Sequence, residues 1–206
     1  MTLVSPTQVA DGAPRVASNI NTPVNEIAAV VNGNIDDSNI KAAAGIASSK
    51  IAFNSTPGLV VQIAATNYSA VATGSTMIPN DDTIPQITEG NEFMTQIITP
   101  KSATNRLFIE AKISLAVSSN ASRIAALFQD ATANALAVQA TYVGNFTDPV
   151  TLYITHDMVA GTTSSTTFRV RGGADVAGTW TMNGQAGARK FGGVTLSSIK
   201  ITEYMA

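Results

Sequence analysis

The one histidine of the chain, His156, is followed directly by Asp157, and serines are plentiful. A nucleophilic triad could be drawn from such residues. In PVTLYITHD, however, His156 lies in phase with Val150, Leu152 and Ile154, and neighbours along a strand face opposite ways. Asp157 is therefore badly placed to orient the imidazole, and the histidine reads as structural. There is no cysteine, which removes thiolate nucleophiles and disulfides. With one histidine it also leaves too few ligands for zinc. The acidic pairs Asp36–Asp37 and Asp81–Asp82 lie in turn-forming sequence, the second directly after Pro79–Asn80. A glycosidase needs two carboxylates across a cleft. A calcium loop built on Asn80, Asp81 and Asp82 would lack EF-hand-like spacing. The glycines of GGADVAGTWTMNGQAGARKFGG (172–193) have no following helix, so they are turns around TWTMN, not a phosphate loop. The expectation is a protein with no catalytic residues, no metal and no cofactor.

Binding is a better use of the remaining residues. Trp180, the single tryptophan, is the candidate receptor contact, as a platform for a sugar ring; its competing role is a plug in the core. Tyr142 and Tyr153 pose the same choice. Charged residues make up 13% of the chain and net charge is −2, with no run of either sign. No run of basic residues is present to neutralise a phosphate backbone, so no nucleic-acid partner is expected. No apolar run reaches the roughly 20 residues of a membrane span, and no membrane insertion is expected. The opening MTLVSPTQVADG lacks the basic and apolar regions of a signal peptide, so folding in a cytoplasm is expected. A polar, nearly uncharged surface suits a protein that packs against its own copies or makes neutral contacts.

Most of the chain reads as β-structure. In RLFIEAKISLAV (106–117), Leu107, Ile109, Ala111, Ile113, Leu115 and Val117 share one side of a two-residue period, which predicts a strand with one buried face. Further strands are expected near 59–65, 71–78, 93–99, 122–130, 134–142, 149–156, 166–172, 179–183 and 194–204. Many short strands between Gly, Pro, Asn and Asp turns predict a mainly β fold, a β-sandwich of jelly-roll type. In the last strand Val194 and Leu196 are out of phase with Ile199 and Ile201, which predicts a bulge at Ser197–Ser198.

The first quarter of the chain differs. Residues 1–18 read as an extended arm. Thr22, Pro23 and Gly33 frame a short helix, on which Val24, Ile27, Ala28 and Val31 form one apolar stripe. About ten helical residues are not stable alone, so Val24, Ile27 and Val31 are candidates for contact with another protein. An eleven-residue repeat follows, matching Ile35 with Ile46 and Ile40 with Ile51. Isoleucines five and six apart do not stay on one face of a plain helix. The segment either winds around its own copies, with Ile35, Ile40, Ile46 and Ile51 at the axis, or serves as a linker. Pro57–Gly58 marks the boundary of the β-domain. The expected division is 1–33 arm and helix, 34–57 stalk, and 58–206 a β-rich knob.

Three phrases, TIPQITEGNEFMTQIITPKSATNRLFIEAKI (83–113), AALFQDATANALAV (125–138) and FGGVTLSSIKITEY (191–204), resemble the C-terminal domains of fibre and minor structural proteins of tailed bacteriophages. The segment NTPVNEIAAVVNGNIDDSNIKAAAG is similar to the leaders and short repeats that often precede such domains. The resemblance implies a homotrimeric virion fibre, assembled in the host cytoplasm. An N-terminal segment would dock on another virion protein, and a distal knob would meet a host surface glycan. The runner-up is a capsid-bound head fibre or decoration protein without receptor recognition.

Overall fold

The computed structural model describes residues 24, 25, 27, 28, 57–144 and 147–206. Val31 and the stalk isoleucines Ile35, Ile40, Ile46 and Ile51 lie outside the described residues. Val24, Asn25, Ile27 and Ala28 are helical, with Val24 and Ile27 exposed. Among the described residues no helix is long and apolar enough to cross a membrane.

Ser55–Ala206 forms one compact unit, built on the strand whose alternation is clearest in the sequence. That strand is β4 (Arg106–Val117), the fourth in chain order after β1 (Val60–Tyr68), β2 (Ala72–Gly74) and β3 (Asn91–Ile98). It is followed by β5 (Ser122–Gln129), β6 (Ala137–Tyr142), β7 (Val150–Val159), β8 (Thr166–Ala174) and β9 (Trp180–Met182). The short β10 (Gly184–Gln185) and β11 (Ala188–Arg189) precede a 3₁₀ turn at Phe191–Gly193 and β12 (Ser197–Tyr204). In the first sheet β7 pairs one edge of β4, from Arg106↔Val159 to Leu115↔Val150. The other edge is shared: β12 lies opposite Arg106–Lys112 and β9 opposite Leu115–Val117. Beyond them β1 pairs β12 and β2 pairs β9. The second sheet has the order β3-β8-β5-β6. Both sheets are antiparallel and the chain passes repeatedly between them, giving a mainly β, jelly-roll-like sandwich.

The six apolar residues of β4 that share a period all point into the space between the sheets and are buried. Ile154, Phe168, Val170, Trp180, Ile199 and Ile201 meet them there. Where β4 changes neighbours from β12 to β9, a buried polar knot holds the seam. Ser197 Oγ donates to Asn183 Oδ1 at 2.7 Å and accepts from the Ser114 N–H at 3.0 Å. Asn183 Nδ2 in turn donates to the carbonyls of Tyr68 and Ala70. One side of the sandwich is closed by Tyr68, whose hydroxyl donates to Thr95 O at 2.6 Å and accepts from Thr95 N at 2.9 Å. At the opposite end of β1 from this tyrosine, Gly58 N–H donates to Met205 O and Met205 N–H to Leu59 O, so the domain's two ends lie side by side.

Two expectations are corrected. The 71–78 strand shortens to Ala72–Gly74. Its remainder leaves the sheet at Thr76, whose N–H is taken by Asn91 Oδ1. The expected bulge at Ser197–Ser198 is absent: β12 starts at Ser197 and pairs without a break, while Val194 and Leu196 stand exposed in the loop before it. The register shifts fall instead in β1, at Val60/Gln62, and in β3, at Glu92/Met94.

Candidate interaction face

Each sheet has an outer face as well as the inner one, and the two are treated differently. Over the second sheet the chain lays its own β2–β3 connection. Ile78 N–H bonds to Ala174 O, Ile87 N–H to Ala133 O and Ala135 N–H to Pro85 O. Ile78 packs there with Ile124, Ala126 and Phe128, flanked by Ile87 and Ala135, as a second small core. This is why Ile124 to Phe128 of β5 are buried without alternation.

On the first sheet the β10–β11 hairpin covers only one end, where outward-facing Ser114, Ala116 and Thr181 are buried and Gly187 N–H donates to Thr181 Oγ1. Among the described residues no segment lies over the part built from β1, β12, β7 and the first half of β4. Strand register assembles its outer face in rows across β1, β12, β4 and β7. One row is Ala65, Lys200, Glu110 and Thr155. Its neighbours are Ile63, Thr202, Phe108 and Asp157 on one side, and Asn67, Ser198, Lys112 and Tyr153 on the other. Tyr153 is 65% exposed and Ile63 60%. A depression of about 260 Å³ opens beside Tyr153, between Glu110, Lys112 and Lys200. Most charges are paired within the face, Lys112 excepted among the described residues. Lys200 pairs with Glu110, and Arg106 lies 3.0 Å from Asp157. Tyr204 OH donates to the same Asp157 carboxylate at 2.8 Å. Desolvation on the sheet pulls the Asp157 carboxyl upward, but the hydrogen bonds from Arg106 and Tyr204 outweigh it and hold the group below the ordinary aspartate value. The same contact with Asp157 raises the Arg106 guanidinium. Such half-exposed pairs add little stability. Their effect is to leave a mixed aromatic and aliphatic surface with nearly balanced charge.

A second opening, a groove of about 450 Å³, runs between the covering segment and β5–β6. Ile84 and Val138 form exposed apolar walls, and Asn80 and Asp81 also line it. Asp81 Oδ1 accepts from the N–H of Thr83 at 2.8 Å and from its hydroxyl at 2.5 Å. These bonds, the hydroxyl's first, lower the Asp81 pKa. No cation lines the groove.

Trp180, the sequence candidate for receptor contact, is fully buried and its Nε1 donates to Thr76 O at 3.1 Å. It plugs the core, and no ligand reaches it with the sandwich closed. His156 is half-buried on the inward side of β7, opposite Ile109, while the Asp157 carboxylate turns outward to Arg106. The sequence geometry had separated these two side chains, and they stand apart. Among the described residues no three His, Asp or Glu side chains gather as a metal site requires.

Two buried charges escaped the sequence reading. Glu203 is in phase with Ile199 and Ile201 and has no exposed surface. Its carboxylate accepts from Lys101 N at 2.8 Å, Asn105 Nδ2 at 2.6 Å and Gln62 Nε2 at 2.5 Å, fastening the β3–β4 loop. Arg123 is in phase with Ala125 and Leu127 and is also fully buried. It donates to Asp148 O at 3.1 Å, and burial lowers its pKa against the opposing pull of Asp148. In both cases the signal was present: a charge on the apolar side of a strand's alternation.

No family model matches the chain, and no curated protein matches it. Among solved structures, Eiger TNF from S. frugiperda is 13% identical with a TM-score of 0.42, over 73% of this chain and 94% of that one. The EclA C-terminal domain, a sugar-binding protein, is 15% identical with a TM-score of 0.32, over 73% and 91%. A lipoprotein of Bacteroides thetaiotaomicron is 12% identical with a TM-score of 0.30, over 72% and 94%. At these scores the likenesses carry no argument about function, and the sandwich rests on its own strand pairing.

Proposed function

We propose that the chain is a bacteriophage virion structural protein, a homotrimeric fibre whose knobs pack through the outer face of the first sheet. The observation that carries this reading is the uncovered face itself. Ile63, Phe108 and Tyr153 stand among charges that are mostly paired within the face, which suits contact with an identical surface better than contact with a charged partner. The resemblance to phage fibre domains supplies the number three and the virion setting. Attachment to a host surface glycan is part of the same proposal. The groove lined by Asn80 and Asp81 has apolar walls, hydrogen-bonding groups and no cation, a lining that fits a neutral sugar. Three weak sites would then act together through multivalency.

The mass of the full chain in solution tests the assembly. Three copies are expected, and Tyr153→Arg should reduce the mass by putting three cations into the contact. A monomeric wild-type chain overturns the trimer. Binding of the full chain to host surface polysaccharide tests attachment. Loss of binding in Asp81→Ala is expected, and absence of binding by a trimeric wild-type chain overturns the receptor role.

A further inference from the structure

The end of the sandwich away from Gly58 carries the most exposed large apolar residues described, and they lie together in one loop. Phe191 and Val194 are each 78% exposed, and Leu196 follows them. Phe191 is also strained. Its φ is +48°, a left-handed conformation that glycine adopts freely and that a bulky aromatic rarely does. Gly192 and Gly193 continue the left-handed backbone, at φ +64° and +89°. The turn is pinned by Gly193 N–H to Lys190 O at 2.9 Å and Val194 N–H to Phe191 O at 3.3 Å. A Cβ at Gly193 would lie 2.8 Å from the Arg189 side chain, so that stem runs along the loop. Arg189 and Lys190 are exposed, and neither forms an ion pair among the described residues. Between Asp175 and Glu203 the chain has three basic residues, Arg189, Lys190 and Lys200, and no acidic one.

From the coincidence of strain, exposed aromatic surface and unopposed positive charge we propose that this loop binds an anionic lipid surface. Phe191 and Val194 would enter the boundary between headgroups and acyl chains, with Arg189 and Lys190 held against the anionic headgroups. Backbone strain of this sort persists where the surrounding structure enforces it and often marks a functional site. Here it points Phe191 away from the fold, where it contributes nothing to the core. Charge sets the partner. A basic pair beside an aromatic and two aliphatic residues combines the two attractions of an interfacial contact, apolar burial and attraction to anionic lipid. The contact is peripheral and spans nothing. It goes beyond the glycan reading, because it uses a different surface and a partner of opposite character.

The test uses the full chain with vesicles of phosphatidylcholine alone and vesicles containing phosphatidylglycerol. Binding to the anionic vesicles is expected, weakened by salt. Removing both charges in Arg189→Gln/Lys190→Gln should weaken it about thirtyfold, given roughly 1 kcal/mol per basic residue at such a surface. Phe191→Gly is the more telling variant. Glycine suits the backbone at that position, so the folded chain should melt no lower than wild type while vesicle binding falls at least about tenfold. No binding to either vesicle overturns the proposal, as does Phe191→Gly binding like wild type. If Phe191→Gly instead lowers the mass in solution, the residue is covered by a second copy and the lipid contact is wrong. Polysaccharide binding by the same variants keeps the two readings apart: it should survive Phe191→Gly and fail in Asp81→Ala.

Discussion

The outer faces of the two sheets begin from the same requirement and end differently. A strand in an antiparallel sheet needs one dry face, and the other can stay wet. On the second sheet the outer side of β5 carries Ile124, Ala126 and Phe128, and the chain covers it with Ile78 and Ile87 from the β2–β3 connection. On the first sheet the outer side of β4 carries Phe108, Glu110 and Lys112, all partly exposed, and the β10–β11 hairpin covers only the far end of the strand, at Ser114 and Ala116. Covering a face from within makes it part of the folding unit. Leaving most of it open, with its charges largely paired, keeps it available to another molecule. The lesson is that the first face should matter little to one copy's stability and much to its association, while the second should behave the opposite way.

Substitutions can break that contrast. Phe128→Ala empties the covered face and should cost about 3–5 kcal/mol in chemical denaturation. A loss under 1 kcal/mol would mean the cover is loosely packed. Glu203→Ala orphans the loop donors that the carboxylate satisfies and should cost about 1–3 kcal/mol. That would show the inner side of the bare sheet to be as demanding as any core. Tyr153→Ala removes an exposed ring and should change the monomer's stability by less than about 0.5 kcal/mol, while analytical ultracentrifugation records weaker association. If the monomer instead loses several kcal/mol, the first face is not a free surface. The smallest effect concerns acid. The Asp157 carboxyl is held below the ordinary aspartate value, so its contribution is present above that value and is lost as pH falls through the lowered one. Melting temperatures of wild type and Asp157→Asn should converge at the acid end and differ slightly above it. A difference that grows on acidification would reverse the sign.

The fold was readable wherever one side of one strand decided the matter. The alternation from Leu107 to Val117 located β4, and the opposed phases of His156 and Asp157 predicted that the two would not meet. Phase misled at Val194 and Leu196, because two apolar residues at strand spacing need not belong to the strand. They stand instead in an exposed loop. The covering segment was illegible for a different reason: Ile78 and Ile87 lie among Pro79, Pro85 and Asp81, whose chemistry signals turns and says nothing of what the turns rest upon. The bare face could not be found at all from one strand. Ile63, Phe108 and Tyr153 come from β1, β4 and β7, and only the pairing register places them on one face.

The hydrogen bonds that join Gly58 and Leu59 to Met205 also determine how the domain meets a mechanical load. The chain leads into β1 at the end where β12 finishes, and the two strands are paired from Val60↔Tyr204 to Tyr68↔Ser197. A pull between Gly58 and the Phe191 loop at the far end runs along these strands. It loads their hydrogen bonds together in shear, and no single rung can open alone. A pull applied across the domain at Met205 would instead peel them one at a time. The sandwich is therefore a directional fastener, strongest against a force that runs from Gly58 towards the Phe191 loop.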